Sequence, residues 1–406
     1  MIRVLIILTC LALVSLHAQD PATDFIERPV LKALPIGGDD DITSQPLPDE
    51  VVSMPEETTA VLADETNETP AASTIDEPAE IANPLSTAAT NAKPEGLEAL
   101  RLQVFLDKSD FGPGVIDGRM GQFSELAVRS WNEVNGHPLD DWSAVTVAAN
   151  SAVPEPLITV TVPNVATKWV NPSLPTKRSQ QASAKRMSYR SIAEFMAERY
   201  HSDVPYLTEL NAGVKIQNLK PGDSLIVPNV APFEIEKLTG AKYEADAALS
   251  ERHVVVNTKI NQARIFEAAP AALVVDESEA DTAPAPKTKA NRALVASFPI
   301  TPGKPQFIKF GTWKLLNMIE MPHWRYDQQL LDTGKRSANA INIPPGPNSP
   351  VGVIWNGTSR PGIGMHGTSD PETIGRARSA GCIRLANWDA IRLPNLIRPG
   401  ATVEIR

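Results

Sequence analysis

Apolar residues are spread unevenly along this chain, and their spacing predicts which parts fold. An unbroken apolar run from Val4 to Leu16 follows Arg3 and ends near the small residue Ala18, the layout of a secretory signal peptide over residues 1–18. The run is short for a bilayer span, which needs about 20 apolar residues. Cys10 lies inside it rather than at its end, which sets lipidation aside. From residue 19 to about 94, Ala, Pro, Thr, Asp and Glu dominate and Phe25 is the only aromatic. Such a stretch buries too little apolar surface to offset the entropy of ordering, so a disordered acidic linker is predicted.

Order is expected from residue 95. Leu97, Leu100, Leu102, Val104 and Phe105 fall at helical spacing, a loop follows through Asp117, Gly118 and Gly121, and 124–134 reads as a second helix. This helical module, 95–138, resembles the peptidoglycan-binding-domain-1 family through Leu102, Gln103, Ile116, Asp117, Gly118, Gly121, Ala127, Val128 and Trp131. Residues 139–186 are punctuated by proline and read as a linker, with one or two strands in LITVTVPNV. Between 187 and 230, helices at 192–200 and 204–211 precede a turn at Lys220 to Asp223 and a strand at 224–227. That module resembles a LysM domain through Leu210, Asn211, Leu219, Pro221, Gly222, Asp223, Leu225 and Pro228, with its first strand poorly marked.

The last domain, 251–406, opens on alternating segments either side of a Lys-Ile-Asn-Gln turn, which predicts a β-hairpin. An acidic, Pro-rich excursion is expected at 270–290. Strands are expected at 293–300, 307–310, 313–319 and 351–355, and a helix at 387–393. Many short strands separated by Gly and Pro indicate a mostly-β sandwich or barrel. The fold class is therefore multidomain, with a small helical module and a small α+β module ahead of a mostly-β domain.

Composition changes this picture in two places. The segment from Asp20 to Thr90 holds sixteen acidic residues against Arg28 and Lys32, a net of -14 where the whole chain carries -10, so the remainder carries +4. The acidity belongs to the tail, and +4 is too weak to argue for nucleic acid as a partner. Once the signal is removed, Cys382 is the one cysteine, in a compartment where disulfides would be allowed. A lone cysteine is either a small buried hydrophobe or a reactive thiol.

Its neighbourhood favours the thiol. His366 precedes Cys382 by sixteen residues, and Gly381 stands directly before the sulfur. A cysteine attacks as its thiolate, and histidine is suited to take the proton. A glycine-bearing turn lets backbone amides converge on a developing oxyanion. His137, His201, His253 and His323 are scattered without paired spacing, so no metal and no cofactor are expected.

His366-Gly367 followed by Ser379, Ala380, Gly381, Cys382, Ile383 and Arg384 resembles the YkuD family of L,D-transpeptidase catalytic domains, and Pro345, Gly346, Pro347, Asn348 and Gly352 match the approach to that motif. Ala380 departs from it, since many members have His there. The resemblance implies that Cys382 attacks a stem-peptide carbonyl of peptidoglycan and that His366 takes its proton, oriented by the Gly367 carbonyl. It also implies that the amides of Ala380, Gly381 and Cys382 hold the oxyanion, that D-alanine leaves, and that a stem amine resolves the thioester as a 3-3 cross-link. Water as acceptor would give an L,D-carboxypeptidase, and a non-catalytic peptidoglycan-binding envelope protein is a reading of another class. Arg384 is a candidate for a substrate carboxylate, against a salt bridge to Asp389. Ser379 is a candidate contact or a stiffener of the turn, and Trp324 and Tyr326 are candidates for lining a groove. The partners implied are stem peptides and glycan strands, in the periplasm or cell wall, with no stable membrane span after signal cleavage.

Overall fold

Short apolar runs on both sides of a polar turn bring β3 (His253–Asn257) and β4 (Gln262–Phe266) together as an antiparallel hairpin, with Val256 opposite Ala263. The computed structural model describes residues 91–268, 292–304, 307–327, 329, 337–376 and 381–406. The chain divides after Ala33, and all described residues belong to the second unit, Leu34–Arg406. The signal segment, nearly all of the acidic linker and the 270–290 excursion lie outside the described residues.

The hairpin belongs to an eight-stranded sheet. It is completed by β5 (Leu294–Pro299), β6 (Gly311–Glu320), β9 (Ile354–Thr358), β10 (Gly364–His366), β11 (Ile383–Arg384) and β12 (Thr402–Ile405), in the order β11-β10-β9-β6-β12-β3-β4-β5. Val254, Val256, Ile265, Phe298, Met318, Met365, Ile383 and Val403 meet in its core, where burial of apolar surface is the main stabilising term. A separate pair, β7 (Trp324–Tyr326) with β8 (Ile341–Ile343), sets Trp324 opposite Ile343.

The sequence-based elements are adjusted at four points. Residues 307–310 form a turn and irregular chain, not a strand. The helix expected at 387–393 is two short ones, Asn387–Ala390 and Leu393–Leu396, because Pro394 has no N–H to continue the first. Within the supposed linker 139–186, Asp141 caps a helix α3 (Trp142–Ala152) by accepting from Ser143 and Ala144, and Val145 and Ala149 turn inward one helical turn apart. The same stretch supplies β1 (Leu157–Thr161), which pairs antiparallel with β2 (Ser224–Pro228), so the two-stranded sheet of the second module begins well before residue 187.

Helices α1 (Gly96–Lys108) and α2 (Gln122–Asn135) enclose the Asp117-Gly118 turn. The Gln103 amide oxygen accepts from the Asp117 and Gly118 N–H groups, and Gly118 has a left-handed φ of 71°, so these residues set the turn. The helical module then covers the β5 edge of the large sheet: Gly112 donates to Ser297 O and Ser297 donates to Asp110 O. After β1 come two single-turn helices, α4 (Ala166–Trp169) and α5 (Arg178–Gln181), and then α6 (Ile192–Arg199) and α7 (Val204–Leu210). Ser191 and Asp203 cap α6 and α7 through Glu194 N and Tyr206 N. Asn211 exchanges two 2.8 Å hydrogen bonds with Ile226, fixing the end of α7 to β2.

The modules are joined by buried charge. Asp107 of α1 accepts from Arg392 at 2.8 Å and bonds the His201 ring at 3.0 Å, and that ring stacks on Trp388 at 5.4 Å. Two guanidinium and imidazole partners outweigh the burial cost, so the Asp107 carboxyl is held well below the usual carboxylate range. Among the described residues, no helix is long and apolar enough to cross a membrane.

Candidate active site

Three strand ends converge where the chemistry was expected. β10 lies between β9 and β11, antiparallel to the first and parallel to the second, with Met365 opposite Ile383 and His366 opposite Arg384. Cys382 directly precedes β11 and comes level with Gly364. Side chains two apart on a strand share a face, and paired positions of neighbouring strands point the same way. Cys382 and His366 therefore stand on one face of adjacent strands, two residues apart along the strand direction.

The imidazole is fixed on two sides. Its Nδ1 lies 2.6 Å from the Gly367 carbonyl oxygen, which can only accept, so Nδ1 carries the proton and Nε2 is left as an acceptor. Trp355, the strand partner of His366, stacks against the ring at 5.7 Å and 21°. That tryptophan also explains Gly364: a Cβ there would lie 2.7 Å from the indole.

The sulfur is covered. Cys382 is 2% exposed and His366 3%, and Cys382 belongs to a small apolar cluster with Leu174, Met187, Trp324, Ile343 and Val351. Its thiol donates to Gly362 O at 3.4 Å. Burial pushes the Cys382 thiol up to about 12, opposed by the Gly364 N–H and by Arg384. Burial likewise pushes His366 down to about 3, opposed by its bond to Gly367. Both groups are neutral at pH 7 in this arrangement. A sulfur lying open to the wall is thus not what the structure holds, because the segment that carries Leu174 and Met187 packs over it together with β7 and β8.

That covering segment is tied down. Met187 donates to Pro345 O at 2.9 Å and accepts from Asn348 N at 3.0 Å. Gly346, with φ at 147°, leaves no room for a Cβ against the Met187 carbonyl, which would be 2.3 Å away. Arg178 of α5 lies over the Trp324 ring at 5.3 Å, and Trp324 is itself 3% exposed, inside the cover rather than lining an open groove. Tyr326 packs beside it, the ring centroids 5.5 Å apart.

The remaining candidates separate. Arg384 exchanges two 2.9 Å backbone bonds with Thr301, which aligns it beside His366. Asp389 is buried, and Arg392 is the cation that favours its charged form. Ser379 and Ala380 lie outside the described residues, and with them much of the expected oxyanion turn. Gly381 is described, and Gly303 presses on it: a Cβ on Gly303 would meet the Gly381 Cα at 2.4 Å. Gly303 and Glu198 were not anticipated from the sequence, since each acts on the site from a distant part of the chain, and Asn387, five residues after Cys382, was read only as the start of a helix. Among the described residues no group of three or more His, Cys, Asp or Glu side chains could hold a metal ion. A cavity of about 600 Å³ lies among α6, α7 and the turn Ser369 to Glu372, with Arg178, Arg190, Glu194, Asp203 and Glu372 in its lining and neither Cys382 nor His366 among them.

Residues 272–405 match the family model of YkuD, the L,D-transpeptidase catalytic domain. The match covers about a third of the chain, at its C-terminal end, and none of the modules before it. Among curated proteins, the chain is 40% identical over 65 residues to a Bacillus licheniformis protein that carries the name YkuD, covering 16% of this chain and 39% of that one. The Bacillus subtilis protein of that name is 42% identical over 65 residues, covering 16% and 40%. The chain thus spans about two fifths of the length of these relatives. Among solved structures, an L,D-transpeptidase from Mycobacterium smegmatis aligns at 16% identity and a TM-score of 0.26, covering 38% of this chain and 58% of that one. L,D-transpeptidase 3 from Mycobacterium tuberculosis aligns at 13% identity and a TM-score of 0.26, covering 47% and 76%. Superposition at that level carries no argument about function.

Proposed function

We propose that this protein is an exported cell-wall L,D-transpeptidase in which Cys382 forms a thioester with a peptidoglycan stem peptide. The observation that carries the reading is the shared strand face of Cys382 and His366, with Nδ1 of the imidazole committed to Gly367 O. L,D-transpeptidases act on peptidoglycan, and the family match falls on this domain. His366, neutral with Nε2 unprotonated, takes the thiol proton as the sulfur attacks the carbonyl of the third stem residue. The amides of Ala380, Gly381 and Cys382 receive the oxyanion. The proton passes to the departing D-alanine, and an amine from a second stem then attacks the thioester and releases the sulfur. Arg384 holds a substrate carboxylate beside the ring.

For this chemistry the cover must swing away, because a sulfur 2% exposed beneath Leu174, Met187 and Trp324 cannot be reached by a substrate carbonyl. The helical and LysM-like modules would deliver the enzyme to glycan strands. Product analysis tests the reading: purified protein given tetrapeptide muropeptides should release D-alanine and yield 3-3 dimers, and Cys382→Ala should do neither. Trimmed monomers without dimers would point to water as the acceptor. Burial of the sulfur favours a second reading, a wall-binding protein without turnover; under it, Cys382→Ala binds sacculi and complements a deletion as well as the wild type.

A further inference from the structure

Asn387 opens the short helix after β11 with its side chain wholly buried. Its Oδ1 accepts from the Val353 N–H at 3.2 Å, while its Nδ2 donates to Pro347 O at 3.2 Å and to Glu198 Oε1 at 2.7 Å. The Oδ1 sits in a slot that two glycines leave open: a Cβ on Gly352 would lie 2.1 Å from it and one on Gly367 2.0 Å. Gly367 is the residue whose carbonyl fixes the His366 tautomer. Whatever holds Asn387 therefore holds the peptide that orients the imidazole.

What holds it comes from another part of the chain. Glu198 lies on α6 of the second module, 189 residues before Asn387, and is itself buried. The Tyr189 hydroxyl bonds the same carboxyl, and burial pushes that carboxyl up to about 8, so at neutral pH it stands as a neutral acid shared between a phenol and an amide. A cross-module bond of this kind is more than packing needs, since an apolar pair of similar shape would bury as well without the desolvation cost of a carboxyl.

We propose that Glu198 and Asn387 are positioning residues for His366: the second module, through one hydrogen bond, locks the Gly352 and Gly367 backbone so that the imidazole presents Nε2 to the thiol. The proposal rests on the reading of His366 as the base. It makes the module part of the catalytic apparatus rather than a tether, and it predicts that loss of Glu198 affects the ring before it affects substrate binding.

The test is the tautomer of His366 by NMR on full-length protein labelled with ¹⁵N-histidine at neutral pH, read beside steady-state kinetics. Wild type should show a single neutral form protonated at Nδ1. Glu198→Leu should give a mixture of the two neutral tautomers with kcat at least tenfold lower and KM within about twofold. Glu198→Gln, whose amide oxygen can still accept from Asn387, should keep the wild-type ring pattern. Glu198→Met, similar in length and unable to accept from Asn387, should repeat the Glu198→Leu result and stands in for it if that variant does not fold. A folded Glu198→Leu or Glu198→Met protein whose ring stays wholly Nδ1-protonated overturns the proposal. Wild type showing the expected tautomer but turning over no muropeptide instead overturns the transpeptidase reading, because the ring signal does not depend on turnover.

Discussion

Asp389 keeps its proton at neutral pH, since burial raises its carboxyl to about 8 and Oδ1 has no hydrogen-bond partner among the described residues. A folded pKa above the unfolded one contributes stability in full below the unfolded value, near 3.8, and that contribution is lost as pH rises through about 8. Asp389→Asn has no such dependence. Thermal melts should therefore show the variant gaining on wild type between pH 4 and 8, by about 1.4 kcal/mol for each unit of pKa elevation, and then levelling; parallel curves would show that the carboxyl is solvated. Gly364→Ala tests the Trp355 contact, with an expected loss of about 1–3 kcal/mol from overpacking in denaturant titrations. At this scale Cys382 and His366 were legible because a lone thiol, an imidazole and a glycine turn fall within one stretch. Asn387 and Glu198 were not, because a bond across 189 residues leaves no local pattern.

Elements with a strong local code were read well. The β3–β4 hairpin follows from short apolar runs either side of a turn. By contrast β10 and β11 hold three and two residues, too few for any periodicity, and their parallel pairing exists only through the sheet around them. Strand β1 was legible as a strand in LITVTVPNV but its pairing was not, since its partner β2 lies beyond both helices of its module. The stretch between β1 and α6 looked like a spacer because proline interrupts it, yet Leu174 and Met187 are buried in the cluster around Cys382. Leu174→Ala should weaken this cover, where comparable truncations cost about 2–5 kcal/mol. Alkylation of Cys382 by iodoacetamide should then run faster, about tenfold for each 1.4 kcal/mol removed from the closed arrangement. An unchanged rate would mean that the segment does not gate the sulfur.

For the molecule as a whole, recognisable motifs suggested separate modules on linkers, whereas the described part is laced together. Asp107, His201 and Arg392 come from three regions and meet in one buried network, and Ser130 of α2 bonds Ser297 of the large sheet at 3.0 Å. Asp107→Ala leaves the partly buried Arg392 guanidinium with only the Asp110 carboxylate at 4.0 Å, which should cost up to about 3 kcal/mol and split a single calorimetric transition into two; an unaltered single transition would show that the modules are held by apolar contact alone. Mass spectrometry of the intact protein after brief exposure to a tetrapeptide muropeptide tests the central claim most directly. The account predicts a mass gain equal to the stem fragment less its terminal residue, mapped to Cys382 and absent from Cys382→Ala. A wild-type protein that stays at its starting mass under conditions where its cover is open, with the thiol still titratable, would contradict it.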